Sequence, residues 1–451
     1  MTTFLGLVLP PGARRNVLAA AAAAVALACA AREMKTPETS SLFEKFTDPR
    51  SGVVSYLLKP GIEAFQQQSL YYSVKSMTDD GRFLVFDVYD GEHECDDPNP
   101  GKSKHFAIVD FAHDRILRLP KTGGEKHQIP FLDVKTDTLY YICRDDYTFR
   151  RRELAKDPLK EIVMCPLPRE LLDLGYVRGW FTHLTMSADR TKAFLETRIT
   201  EGMKGPTPPH LKGKLKSRYI QGTLDVTNGK WHQWTETPFA NHAAINPVDD
   251  TLAYYGWGNY LADYSKRRRE AKKRGEKFNE PFLSMYFAHP DGTKVNFAPE
   301  AIPHATHQTW SEDGKTLYWC SRDAANEKWG VYAIDPKTMK QRCIAPVRAC
   351  HAMLTREMDA ITFDWPHVPL GRGCGWETAF YNCATKRQVF IHSDRPPIAD
   401  IPNKKYSNIH PDPHPQFVMD GRYVVSSFNC DAPRRMTVSV TPTAQLWEKT
   451  R

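Results

Sequence analysis

The chain has 451 residues, of which 41% are hydrophobic and 11% aromatic, so a large packed structure is affordable and a disordered or low-complexity protein is excluded. Its net charge of +8 is not spread evenly: Lys266 to Lys277 holds eight basic and two acidic residues and supplies most of the excess. This segment reads as a solvated loop or short helix, or as a rim that attracts an acidic polymer by long-range steering, with nucleic acid the weaker option.

Residues 1–30 read as a signal peptide. Arg14 and Arg15 precede an apolar run rich in alanine, with small residues around a cleavage site. Arg14 to Leu18 loosely resembles a twin-arginine signal, and Ala26-Leu27-Ala28-Cys29 is a poor lipobox, so a lipoprotein anchor is the alternative to simple export. Either reading predicts a periplasmic or secreted protein. Residues 31–50 read as a polar linker, and 51–451 as one propeller domain, with no membrane span after the N-terminus.

Seven copies of one pattern follow: a strand, a turn built on Asp or Gly, and a second strand. The turns fall at Asp80, Asp137, Asp189, Asp249, Asp313, Glu357 and Asp420, spaced 44 to 64 residues apart. Apolar residues alternate with polar ones around each turn, the period-2 signature of strands. A second apolar hairpin follows the copies, for example HFAIVDFAHDRILRLP from His105 and WGVYAIDPKTMKQRCIAP from Trp329. Four strands in each of seven repeats predict an all-β fold, a seven-bladed β-propeller. SGVVSYLLKP, near Val54, is expected to close the ring by pairing with the last strand.

Six copies place a histidine shortly before the turn, His183, His242, His307, His351 and His414 at six or seven residues and His127 at ten. The first strand of a propeller blade lines the central channel, so superimposed copies would gather these imidazoles at the axis. There they can bind a divalent metal or act as a base near neutral pH. Two clusters are denser: His304 with His307, and His410-Pro-Asp412-Pro-His414. Residues two apart on a strand face one side, so His410, Asp412 and His414 converge, with His307 across the channel. This mixture of N and O donors favours manganese or zinc over calcium. Five cysteines between Cys320 and Cys383 are read as buried thiols, one or two disulfides, or a structural zinc site.

Three of these segments, NHAAINPVDDTLAYY from Asn241, ATHQTWSEDGKTLYW from Ala305 and DPHPQFVMDGRYVV from Asp412, resemble motifs of oligogalacturonate lyases in the same order. The resemblance spans roughly residues 210 to 430. It implies a seven-bladed polysaccharide lyase with His242 as catalytic base, Arg218 assisting, and His307 and His414 as metal ligands. Where that family has a further His, this chain has Asp412; its upstream Gln falls at Ile409, between Asn408 and His410. The chemistry implied is metal-assisted β-elimination from an acidic, uronate-containing oligosaccharide. Related lyases act on ulvan or on rhamnose–glucuronate linkages, which are the alternative substrates. Leaving-group protonation is open between His183, Tyr219 and water. Two other readings are a glycoside hydrolase on the same scaffold and a non-enzymatic, TolB-like envelope-binding propeller.

Overall fold

The computed structural model describes residues 34–64, 66–90, 104–120, 130–143, 146–203, 217–237, 241–256, 260–277, 285–297, 305–323, 328–366, 375–396, 412–431 and 436–451. They form seven antiparallel sheets, six of four strands and one of five. The strands that begin the sheets at the axis are Gln66–Ser69, Phe131–Asp133, Gly175–Met186, Asn241–Ile245, Ala305–Trp310, His351–Leu354 and Gln416–Val418, which define blades 1 to 7. The seven-bladed propeller expected from the repeats is the fold.

The turn residues explain why each repeat reverses where it does. Asp80 Oδ1 accepts from the Thr78 hydroxyl at 2.7 Å and from the Arg82 N–H at 2.9 Å. Asp189 does the same with Ser187 and Thr191, and Asp313 with Ser311 and Lys315. These side chains satisfy turn amides that a strand ladder would leave unpaired. Gly314 follows with φ of 67°, and a Cβ there would stand 2.3 Å from Asn246 Oδ1, so the tight turn needs glycine.

The blades differ from the expected polar alternation. Phe83–Tyr89, Ala360–Pro366 and Trp376–Asn382 are buried along their whole length. Successive side chains enter different cores: Leu84, Phe86 and Val88 pack with blade 7, while Phe83 and Val85 pack with blade 2. Seven apolar clusters result, one between each pair of neighbouring blades. A strand covered on both faces reads as a continuous apolar run.

Blade 7 takes its last two strands from the N-terminal side of the chain, in the order Gln416–Val418, Tyr423–Asn429, Met436–Pro442, Val54–Leu58, Phe43–Thr47. Tyr56 pairs with Val440 and Leu57 with Ser439, which is the closure expected for the Val54 segment. The propeller therefore starts before residue 51. Phe43–Thr47, inside the stretch read as linker, is a strand because Phe43 is apolar and stacks on Phe111 of blade 1, centroids 5.8 Å apart.

Two faces of the channel are separated by a floor. The hydroxyls of Tyr72 and Tyr254 both donate to the Gln308 carbonyl, at 3.1 and 2.5 Å. On the turn side of this floor lies a cavity of about 380 Å³ bordered by Lys75, Asp133, Arg190 and Glu312. The axial histidines lie on the other side. Among the described residues no helix is long and apolar enough to cross a membrane.

His392 ties the closure together. Its Nε2 lies 3.0 Å from Ser439 Oγ and 3.2 Å from Ser55 Oγ. Burial lowers its pKa from 6.5 to about 3. The folded protein thus keeps the ring neutral, while the unfolded chain takes a proton below pH 6.5. The stability from this site is complete above pH 6.5 and is lost as pH falls towards 3, with a slope approaching about 1.4 kcal/mol per pH unit. We expect the urea midpoint to fall through this window and His392→Gln to flatten the fall; an equal slope in the variant would remove His392 as its source.

Candidate active site

The inner strands of blades 3, 4 and 5 break register at one common place: between Phe181 and Thr185, Asn241 and Ala244, and Thr306 and Thr309. These are β-bulges, which re-aim a side chain out of the pleat. His242 and His307 lie inside two of them with φ of 59° and 52°, and His414, just ahead of the inner strand of blade 7, has φ of 51°. A non-glycine residue in this left-handed region costs on the order of 1–2 kcal/mol and persists only where surrounding structure enforces it.

The result is a closed circuit of rings. Centroids are 5.0 Å apart for His242–His307, 4.0 Å for His307–His351, 4.4 Å for His351–His414, 4.5 Å for His414–Tyr71 and 6.3 Å for Tyr71–His242. Blades 4, 5, 6, 7 and 1 each contribute one ring. Blade 1 is the copy without a histidine, and Tyr71 stands in that place.

Hydrogen bonds outside the circuit fix how the imidazoles face. His307 Nδ1–H donates to the Cys350 carbonyl at 2.5 Å, which leaves Nε2 as the lone-pair nitrogen. His351 Nδ1 lies 2.9 and 3.2 Å from the two oxygens of Asp364, its partner across the hairpin. Asp364 is fully buried and also accepts from the backbone N–H of His351 at 3.0 Å and of His414 at 2.8 Å. Nε2 of His351 faces Asp412 Oδ2 at 3.9 Å.

Burial and neighbouring charge set the protonation states. Desolvation, helped by the charge of His351, lowers the pKa of His242 to about 3. Desolvation and the same neighbour hold His307 well below its ordinary value. His351 goes the other way: burial opposes its charge, but Asp364 outweighs it and raises the pKa. Burial, reinforced by Asp412, keeps the Tyr71 phenol protonated far above its usual range.

Of the residues singled out in the sequence, His242, His307, Asp412 and His414 meet here. His351, placed by phase alone, is the hub. Only its pairing with Asp364, thirteen residues on, and its neighbour Cys350 signal this. His127, His304 and His410, with Asn408 and Ile409, lie outside the described residues. So does the side chain of His183, whose backbone is in the blade 3 bulge. Arg218 lies in the third strand of blade 3, its Nε 2.9 Å from Glu236 Oε1 and 3.6 Å from Glu201 Oε1. Tyr219 is buried beside it, with the Arg198 guanidinium 5.4 Å from its ring centroid.

The donor set fits a divalent metal. His307, Cys350 and His351 form one group and His351, Asp412 and His414 another, with candidate ligand atoms within 4.8 Å of one another. Two of the imidazoles have Nδ1 anchored by a carbonyl or carboxylate, the arrangement that orients Nε2 of a metal-binding histidine. The seven cysteines among the described residues form no disulfide with one another, and Cys350 borders this centre.

Fold and site together define a seven-bladed propeller with an axial centre of imidazoles, a carboxylate and a tyrosine. No protein-family model and no curated protein matches the chain. Among solved structures it is similar to an oligogalacturonate lyase in complex with manganese, with a TM-score of 0.62 and 16% identity over 90% of this chain and 97% of that one. It is also similar to an oligogalacturonate lyase from Vibrio parahaemolyticus, TM-score 0.64, 15% identical, over 89% and 97%. A puromycin hydrolase mutant matches less well, TM-score 0.51 and 11% identity over 84% and 56%. At these identities the likeness establishes the fold.

Metal analysis of purified protein is expected to find a bound divalent ion that His307→Ala/His414→Ala loses. Asp364→Asn should weaken metal affinity roughly 10- to 100-fold through the His351 ring it orients. Equal metal content in the wild type and the double variant would remove this centre.

Proposed function

We propose that this protein is an exported polysaccharide lyase that cleaves a uronate-containing oligosaccharide by metal-assisted β-elimination. One observation carries the reading: a neutral imidazole, His242, beside a protonated phenol, Tyr71, and next to a metal-fitting donor set. The Tyr71 hydroxyl is 3.2 Å from His242 Nε2.

The reaction removes the proton on C5 of a uronate and expels the group on O4. That proton is weakly acidic because it is alpha to a carboxylate, so the site must stabilise extra negative charge on that carboxylate. His307, His351, His414 and Asp412 would hold the ion, manganese or zinc by donor type, which supplies Lewis-acid charge at the carboxylate. His242 acts as base; its low pKa leaves the nitrogen free at neutral pH. The C5–H electron pair forms the C4–C5 double bond as the C4–O4 bond breaks. Tyr71 gives its proton to O4, a role with no clear owner in the sequence, and the imidazolium then returns a proton to the phenolate. Arg218, engaged by Glu236 and Glu201, takes no part in these steps.

Incubation with oligogalacturonates, ulvan-derived and rhamnose–glucuronate oligosaccharides, with manganese supplied, should produce the ultraviolet absorbance of an unsaturated uronate. His242→Ala and Tyr71→Phe should each lower kcat by roughly 10²- to 10⁴-fold while metal content stays at the wild-type level. Reducing sugar without the unsaturated chromophore would mean a hydrolase, and no product from any of these substrates would refute the lyase.

A further inference from the structure

The basic segment is a feature that the chemistry above does not use. It lies in the helix Tyr260–Lys273 and the turn after it, inserted between the second and third strands of blade 4. Gly256, the last residue of the second strand, pairs with Asn241, the neighbour of His242, and with Met285, the first residue of the third. The insertion therefore leaves and rejoins the blade on the histidine side of the ring. Only three residues separate Gly256 from Tyr260, where the helix starts, which places that start within about 15 Å of the rim.

Three of the exposed cations on this helix share one side. Lys266, Arg269 and Lys273 are three and seven residues apart, which puts them on one helical face. Ala271 is the buried residue among 269–277 and projects from the opposite face. Lys266, Arg269 and Lys273 are exposed and make no ion pair with any described residue. Glu270 flanks the stripe, and Arg274 is matched by Glu276 at 2.8 Å. In blade 3 next door, Arg218 is held by two carboxylates. Among the described residues, the uncompensated positive charge on this part of the histidine face lies in this helix, over about 10 Å from Lys266 to Lys273.

We infer that this helix is a capture surface for a polyanionic polysaccharide. It would hold the carboxylates of a uronate chain beyond the residue being cleaved, so that long chains bind better than short ones. The polysaccharide class rests on the lyase reading; the capture surface itself rests on topology and charge. A stripe of this length spans more than one acidic residue, and its attraction weakens as salt shortens the screening length.

The test compares wild type with Lys266→Glu/Arg269→Glu/Lys273→Glu, and with the milder Lys266→Gln/Arg269→Gln/Lys273→Gln, by titration calorimetry. The probes are polygalacturonate and polyglucuronate, each with its trisaccharide, at low and high salt. We expect the charge-reversed variant to bind the polymer at least about ten-fold more weakly at low salt, the neutral variant to fall between, and the differences to close at high salt. Trisaccharide affinity and turnover should be unchanged in both. Unchanged polymer affinity would overturn the inference, as would tighter binding of duplex DNA or anionic vesicles than of the polymer. Charge-sensitive polymer binding without unsaturated product would sink the lyase and leave the capture surface standing; cleavage with charge-insensitive binding would do the reverse.

Discussion

No blade of this ring can hide its own surface. Each has two apolar faces, and each face is buried only against a neighbour, so the structure holds together when the circle is complete and not before. The hydrogen bonds across the closure reflect this. Gln67 Nε2 donates to Thr437 Oγ1 at 2.9 Å, Ser69 and Ser427 hydroxyls lie 2.9 Å apart, and Gln416 spans from the Ser76 N–H to the Leu70 carbonyl. The candidate site inherits the same dependence, because Tyr71 comes from blade 1 and His414 from blade 7, on opposite sides of that seam.

Within the ring, local strain does the aiming. His242, His307 and His414 carry left-handed backbone angles that histidine adopts rarely, and the bulges that hold the first two sit at corresponding points of blades 4 and 5. Anchors behind the rings complete the positioning: the Cys350 carbonyl for His307, the Asp364 carboxylate for His351 and for the His414 amide. The rings are thus set before any ligand arrives, so little is spent on organising them during binding.

Much of this was legible in the chain. The turn aspartates were readable because a reversal demands a local side-chain acceptor, and their spacing revealed the blades. The histidine phase was readable because a fixed offset from the turn is a fixed height along the axis. What escaped depended on partners distant in sequence. Asp364 matters through its register with His351, Tyr71 through a blade that breaks the histidine pattern, and Phe43 through packing on Phe111. The carboxylate partners of Arg218, Glu201 and Glu236, come from adjoining strands and are not readable from its own segment. The double-sided burial also masked strand alternation, since both faces are apolar.

The short contact between Tyr71 and His242 carries a stereochemical meaning. A base and an acid working on opposite faces of a pyranose ring would each stand about 3 Å from their own target, and so about 6 Å or more from one another. Here the two atoms are 3.2 Å apart, and Tyr71 is wedged by His414 and Tyr72, with ring centroids at 4.5 and 4.7 Å. In the roles proposed for them, they address one face of the sugar. Elimination from one face needs the C5 hydrogen and O4 to be cis, as in a gluco-configured uronate, whereas in a galacto-configured one they are trans.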